Sequence, residues 1–155
     1  MKTIILDKPG QFQLTETEPP AAPLPGQALV RVRRVGICGT DIHAFKGDQP
    51  FFSYPRILGH ELGVEVVSVA SDVSNLTSGE ICAVEPYLNC GVCIACRRGR
   101  PNCCVQLTCL GVHTDGGMRE LITVPAAKLH PSRTLTLEQL ALVETLGIGA
   151  HAVER

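Results

Sequence analysis

Residue types that suit a metal ion cluster in the stretch from Gly36 to Glu61. Cys38, His60 and Glu61 each lie beside a glycine or on a short turn. Thiolate and imidazole are the donors that Zn²⁺ prefers, and carboxylate oxygen follows them. A catalytic zinc takes three protein donors and keeps one exchangeable position. The three residues therefore predict a zinc site, although Cys38 taken alone is equally typical of a small buried apolar side chain.

A second cysteine cluster follows the spacing C-x2-C-x2-C-x7-C, through Cys90, Cys93 and Cys96 to Cys104. Four thiolates make a closed structural zinc site, since no position remains for a substrate. Cys103 is adjacent to Cys104, and the residues alone allow only one of the two as the fourth donor. Metal binding would hold this lobe together, because its tip at 97–102 has no core-forming residues. An iron–sulfur cluster is the alternative metal for such close spacing.

The other thiols and imidazoles show no metal-binding spacing. We expect Cys82 and Cys109 to be plain thiols in or beside the core, because they lie among strand-forming residues. We expect ordinary core or surface roles for the remaining histidines, His113, His130 and His151.

Composition bounds the class of protein. The 155 residues are 45% hydrophobic and 19% charged, which suits one globular domain with a real core. A net charge of −1 gives no electrostatic reason to bind nucleic acid or an anionic membrane surface. No apolar run approaches the roughly 20 residues of a membrane span, and the N-terminal apolar run is too short for a signal peptide. We therefore expect a cytoplasmic protein with reduced cysteines.

Alternating and β-branched segments predict a mainly β fold, a small barrel of about eight short strands with Gly and Pro turns. The predicted strands are 2–6, 11–17, 27–37, 61–70, 81–84, 118–124 and 128–130. Residues 40–45 predict one helical turn. The aromatic loop with Phe51, Phe52 and Tyr54 either lines a cleft or caps the core.

The pattern changes near the C-terminus. Thr136 and Gln139 fit a capping box, and apolar residues at helical spacing follow through Leu146. Residues 147–152 fit the loose Gly-x-Gly-x-x-Ala form of a dinucleotide-binding fingerprint. Because they follow a helical pattern rather than a strand, we interpret the match as chance.

Taken together and in this order, the motifs resemble the zinc-containing medium-chain alcohol/polyol dehydrogenase family, in its sorbitol, threonine and sugar-acid branch. The resemblance runs along the whole chain and implies a GroES-like, partly open β-barrel with a structural-zinc lobe, followed by a nicotinamide-binding Rossmann domain. It implies that residues 1–135 form the barrel with its lobe at 89–105. Residues 136–155 would begin a helical connection to a cofactor domain that this chain lacks.

The resemblance also implies the site. The catalytic zinc would be held by Cys38 and His60, with Glu61 bound or just behind the metal and Glu144 as a further ligand. Thr40 and His43 would carry the alcohol proton outward. The structural zinc would be bound by Cys90, Cys93, Cys96 and Cys104, which selects Cys104 over Cys103.

The implied activity is oxidation of a small-molecule alcohol, such as a polyol or sugar acid, by hydride transfer to NAD(P)⁺. With one catalytic and one structural Zn²⁺ but no cofactor domain, we expect this chain to be inactive alone. We expect the full-length enzyme to be a homo-oligomer and this chain to self-associate through uncovered apolar surface. The alternative hypothesis is a stand-alone, zinc-stabilised β-barrel that acts as a binding or scaffold module without catalysis.

Overall fold

A computed structural model describes residues 1–50 and 52–154, so Phe51 and Arg155 lie outside the described residues. The strands are β1 (Lys2–Lys8), β2 (Gln11–Glu16), β3 (Gln27–Gly36), β4 (Glu61–Val69), β5 (Ile81–Val84), β6 (Tyr87–Leu88), β7 (Thr108–Cys109), β8 (Leu121–Pro125) and β9 (Leu129–Pro131). The helices are α1 (Gly39–Lys46), α2 (Ile94–Arg97), α3 (Leu137–Ala141) and α4 (Val143–Val153). Short 3₁₀ turns cover Pro101–Cys103 and Ala126–Lys128.

A five-stranded antiparallel sheet carries the fold, in the order β8-β3-β4-β5-β9. Its strands are rich in β-branched residues, which suit a pleated surface that is buried on one face. The hairpin β1-β2 and the short pair β6-β7 form separate two-stranded sheets. The sheet stays open between its end strands, which confirms the predicted mainly β, partly open barrel.

The main core lies on the inner face of this sheet. Val30, Val64, Val66, Ile122 and Val124 are almost completely buried there. A smaller cluster of Leu6, Ala44 and Leu58 joins the β1-β2 hairpin to α1.

The aromatic loop packs on the smaller cluster. Phe52 and Tyr54 lie against it, and the Tyr54 hydroxyl donates a hydrogen bond to the Ala44 carbonyl. For these two residues the structure therefore favours the core-capping alternative over cleft lining. The same prediction for Phe51 falls outside the described residues.

The C-terminal segment is helical, but in two pieces. The Thr136 hydroxyl accepts a hydrogen bond from Gln139 N, and the Gln139 side chain accepts one from Thr136 N, which confirms the capping box. α3 then packs against β3, β4 and β5 through the buried residues Leu140 and Ala141. Leu142 separates α3 from α4, so the single helix that the periodicity suggested is broken there.

Helix α4 contributes no buried side chain, and Leu146 within it is 70% exposed. The loose Gly-x-Gly-x-x-Ala match at 147–152 lies inside this helix, in keeping with a chance match. None of the helices in the described part of the chain combines the length and the apolar character needed to cross a membrane.

Candidate metal centres

The first candidate centre lies where β3 ends and β4 begins. Cys38 is the N-cap of α1, two residues after the end of β3, whereas His60 immediately precedes β4 and Glu61 is its first residue. Because β3 and β4 are antiparallel neighbours, with Gly36 opposite Glu61, the folded sheet brings the three side chains together. One donor atom from each lies within 4.8 Å of the others. The predicted trio is thus assembled.

The spacing of these donors suits zinc. Ligand atoms around a tetrahedral zinc are separated by about 3.3–3.8 Å, given metal–ligand bonds of 2.0–2.3 Å. A group whose members lie within 4.8 Å of one another can contract to that size with small side-chain movements. His60 and Glu61 are 5% and 7% exposed, so an ion there would be shielded from solvent competition.

Asp41 joins this centre, although the sequence motifs did not assign it a role. Its Oδ2 accepts a hydrogen bond from Cys38 N at 2.9 Å, and its Oδ1 lies 4.0 Å from His60 Nδ1. Asp41 Oδ1 and His60 Nδ1 are both buried, and neither has a hydrogen-bond partner among the described residues. Burial raises the pKa of Asp41, against the lowering effects of the Cys38 amide and His60. A carboxylate facing Nδ1 leaves Nε2 of His60 as the metal donor, which is the usual arrangement around ligating histidines.

Glu144 is brought near this centre but does not belong to the group of mutually close donors in the described residues. It lies in the first turn of α4, and its Oε1 accepts a hydrogen bond from the Tyr87 hydroxyl at 2.6 Å. Burial and this hydrogen bond raise the pKa of Tyr87, so the phenol stays protonated and donates. The structure therefore places the Glu144 carboxylate in a hydrogen bond with the Tyr87 hydroxyl.

Cys109 is closer to the centre than its strand position suggested. Burial raises the pKa of its thiol to about 12, with further contributions from the charges of Glu144, Asp41 and Cys38. The thiol therefore remains protonated and neutral at physiological pH. Its position follows from pairing with Tyr87 across β6-β7, a contact that the sequence alone did not reveal.

The predicted proton-relay residues lie on α1. Thr40 Oγ1 is 3.7 Å from Cys38 Sγ, which places the hydroxyl beside the donor group. His43 is exposed, and its Nδ1 donates to Asp48 Oδ1 at 2.9 Å. Residues three apart on a helix share a face, so Thr40 and His43 lie on the same side of α1. Thr40 is the one beside Cys38, and His43 is the one exposed to solvent.

The second candidate centre is the cysteine lobe. The sulfur atoms of Cys90, Cys93, Cys96 and Cys104 lie within 4.8 Å of one another, and Cys93 and Cys96 are 3.5 Å apart. Zinc with four thiolates places its sulfurs about 3.8 Å apart, so the lobe fits this ion. Cys103 is exposed and stands outside this group, as the resemblance implied.

Backbone N–H groups surround the sulfurs of the lobe, as charged thiolates require. Cys104 Sγ accepts from the amides of Cys90 and Gln106, each at 3.3 Å. Hydrogen bonds from the backbone of Cys96 and Val105 lower the pKa of Cys93, whereas burial and the neighbouring Cys93 thiol raise the pKa of Cys96. Such bonds stabilise the charged form of a thiol, which is the form that binds metal.

A cleft of about 570 Å³ lies beside Tyr87 and Glu144. Its walls also include His130 and His151, two of the histidines without metal-binding spacing. His130 Nε2 lies 3.6 Å from Glu85 Oε2, in an exposed contact. In the described part of the chain, the residues that line this cleft include Glu144 but not Cys38, His60 or Glu61.

Comparison with known proteins agrees with this geometry. The family description "Alcohol dehydrogenase GroES-like domain" matches residues 24–134. The chain belongs to this family. It is 44% identical to L-galactonate-5-dehydrogenase of Escherichia coli K12, a match that covers all of this chain and 45% of that protein.

Solved structures give the same result. Galactitol-1-phosphate dehydrogenase from Escherichia coli superposes with a TM-score of 0.91 at 29% identity, over 98% of this chain and 44% of that one. A protein from Sinorhizobium meliloti 1021 described as a "putative zinc-binding dehydrogenase", bound to NADP, superposes with a TM-score of 0.88 at 34% identity, over 99% of this chain and 44% of that one. The chain therefore spans less than half the length of the relatives it matches.

Proposed function

We propose that this chain carries the metal centres of a zinc-dependent dehydrogenase that oxidises a polyol or sugar acid with NAD(P)⁺. The observation that carries the proposal is the convergence of Cys38, His60 and Glu61 within 4.8 Å, with Asp41 facing His60. The names of the relatives support the substrate class, since one acts on a sugar acid and another on a phosphorylated polyol. The relative bound to NADP supports a nicotinamide cofactor.

Two zinc ions with different roles follow from the two donor sets. Cys38 and His60 would hold the catalytic ion, with Glu61 or Glu144 as the carboxylate donor. If the Cys38 thiolate and both carboxylates bound the zinc ion, three negative charges would surround a charge of +2. We therefore expect only one carboxylate to be bound at a time. The four thiols of the lobe would hold the structural ion.

The chain's own residues would handle the alcohol proton. When bound, zinc supplies Lewis acidity that favours loss of the proton from the alcohol. Thr40 would accept a hydrogen bond from the substrate hydroxyl and pass the proton toward His43. The exposure of the His43 side chain would let it release the proton to solvent. The nicotinamide supplies the hydride acceptor.

The domain bounds are part of the same proposal. Residues 1–135 would be the barrel and 136–155 the connection toward a cofactor-binding part. The family match, which covers residues 24–134, supports this division. We further propose self-association of this chain, because Leu142, Leu146 and Ile148 expose apolar surface on one segment. A monodisperse monomer in light scattering would contradict that part.

Cobalt substitution tests the catalytic centre. The visible spectrum of Co²⁺ depends on its ligands, so azide should change the spectrum of an ion with an exchangeable position and leave a closed four-thiolate site unchanged. We expect an azide-sensitive component that is absent in Cys38→Ser, and we expect polyols or sugar acids to perturb the same component. A spectrum insensitive to azide, or an azide response that persists in Cys38→Ser, would contradict the proposal.

A further inference from the structure

Two hydrogen bonds connect the first turn of α4 to strands β4 and β6, and they run in opposite directions. The Tyr87 hydroxyl donates to Glu144 Oε1 at 2.6 Å, from the sheet side to the helix. The Thr145 hydroxyl donates to Glu61 Oε1 at 2.9 Å, from the helix to the sheet side. Each bond therefore holds one of the two carboxylates available to the first metal centre. We call this pair of bonds the hydroxyl clamp.

The sheet-side members of the clamp are rigidly placed. Tyr87 follows the buried Pro86 and pairs with Cys109 across β6-β7. Glu61 pairs with Gly36 across β3-β4 and is 7% exposed. Strand pairing therefore holds the backbone of both residues.

Helix α4, in contrast, has little else to hold it. It contributes no buried side chain, and its N-cap residue makes no side-chain capping bond. Among the described residues, the two clamp bonds are the side-chain hydrogen bonds that join α4 to the rest of the fold. The position of Glu144 relative to Cys38 and His60 therefore depends on them.

We propose that Tyr87 and Thr145 are positioning residues for the first metal centre, an inference that rests on the proposed function. Tyr87 fixes Glu144 through Oε1 and leaves its second oxygen for the metal. Thr145 fixes Glu61 in the same way and anchors the helix that carries Glu144. Because Glu144 and Thr145 are adjacent on α4, a shift of this helix that moves Glu144 also breaks the bond from Thr145 to Glu61.

Metal affinity tests the clamp. Loss of a hydrogen-bond partner behind a metal ligand typically lowers metal affinity about 10–100-fold. We expect Tyr87→Phe to lower Co²⁺ affinity at the Cys38 centre by that factor while the cysteine lobe, as an internal control, binds unchanged. In a Glu144→Ala background, Tyr87→Phe should cause no further loss. An unchanged affinity in Tyr87→Phe, or an equal loss in the Glu144→Ala background, would overturn the assignment of Tyr87.

Thr145 offers a matched pair of variants. Thr145→Val keeps the shape of the side chain but removes the donor, whereas Thr145→Ser keeps the hydroxyl. We expect Thr145→Val to lower Co²⁺ affinity at the Cys38 centre and Thr145→Ser to restore it. Equal affinities for the two variants would overturn the assignment of Thr145.

A measurement without metal separates this inference from the proposed function. In the metal-free chain, the amides of 147–150 should exchange hydrogen faster in Tyr87→Phe and Thr145→Val than in the wild type or Thr145→Ser. If exchange is faster in these variants but no metal binds at Cys38, the proposed function is refuted. The hydroxyl clamp would then still be supported as the pair of bonds that anchors α4. Unchanged exchange would refute the clamp even if the wild type binds two ions.

Discussion

Replacing Gly36 with alanine should disturb the first metal centre directly. Gly36 is the cross-strand partner of Glu61, and an added Cβ would lie 2.1 Å from Glu61 Oε2 and 2.8 Å from Glu61 Cβ. The second distance falls roughly 0.7 Å short of the closest comfortable carbon–carbon contact. Cross-strand Cβ atoms are normally about 4.5–5.5 Å apart. The strands therefore approach here to a distance that only glycine permits.

Two effects follow from this crowding. Overpacking of this kind costs about 1–3 kcal/mol of unfolding free energy, because the strands must separate or Glu61 must leave its rotamer. Displacement of Glu61 also breaks its bond to Thr145 and removes a donor from the Cys38 group. We expect metal affinity at that centre to fall about 10-fold or more.

Urea unfolding of the metal-free variant and Co²⁺ titration of the folded variant measure the two effects separately. Gly39→Ala is the matched control, because Gly39 also flanks Cys38 but a Cβ there meets no atom within 4 Å. We expect the control to retain wild-type stability and affinity. If Gly36→Ala behaves like Gly39→Ala in both measurements, Gly36 and Glu61 do not approach each other as closely as in this structure.

Three other predictions concern the sheet, the lobe and pH. Gly63→Ala should lower the urea midpoint, because its Cβ would lie 2.3 Å from the Leu137 carbonyl oxygen, whereas Gly147→Ala, with nothing within 4 Å, should not. Cys104→Ser should abolish metal binding at the lobe while Cys103→Ser retains it, as elemental analysis would show. Stability of the metal-free chain should fall as pH rises from 9 toward 11, because burial raises the pKa of Cys82 from 9.0 to about 11 and the unfolded chain loses that proton first. Cys109, whose pKa burial raises to about 12, contributes to the same fall, so Cys82→Ala should make it shallower in urea titrations, and an unchanged slope would contradict the prediction.

Local pattern predicted the parts of this protein that local sequence determines. The segment 81–84 is a short apolar run that follows a turn, and β5 has those bounds. The lobe was predictable because its four cysteines lie within 15 residues, so spacing alone limits their geometry. The capping box at Thr136 was predictable for the same reason.

Departures arose where tertiary contacts decide the structure. Strand β8 begins at Leu121 rather than at Met118, since residues 118–120 turn toward β1 through an isolated Thr3–Arg119 bridge and the Met118 amide donates to the Leu58 carbonyl. The helix breaks at Leu142 because Leu140 and Ala141 are buried against the sheet while α4 is not. Periodicity does not report such a change of environment.

The surroundings of the first metal centre were the least predictable part. Tyr87 and Glu144 are 57 residues apart, and Glu61 and Thr145 are 84 apart. No spacing rule connects residues at such separations, so only the folded sheet reveals their hydrogen bonds. The sequence offered a better signal for Asp41, because an acidic residue three positions after Cys38 suits the first turn of a helix.

Metal content before and after mild chelation tests the central claim most directly. The account predicts two zinc ions per chain, with the ion at Cys38 and His60 lost readily and the ion of the four-thiolate lobe retained. Cys38→Ser should then hold one ion and Cys90→Ser the other. One zinc that resists chelation in the wild type, or iron in place of zinc, would contradict the account.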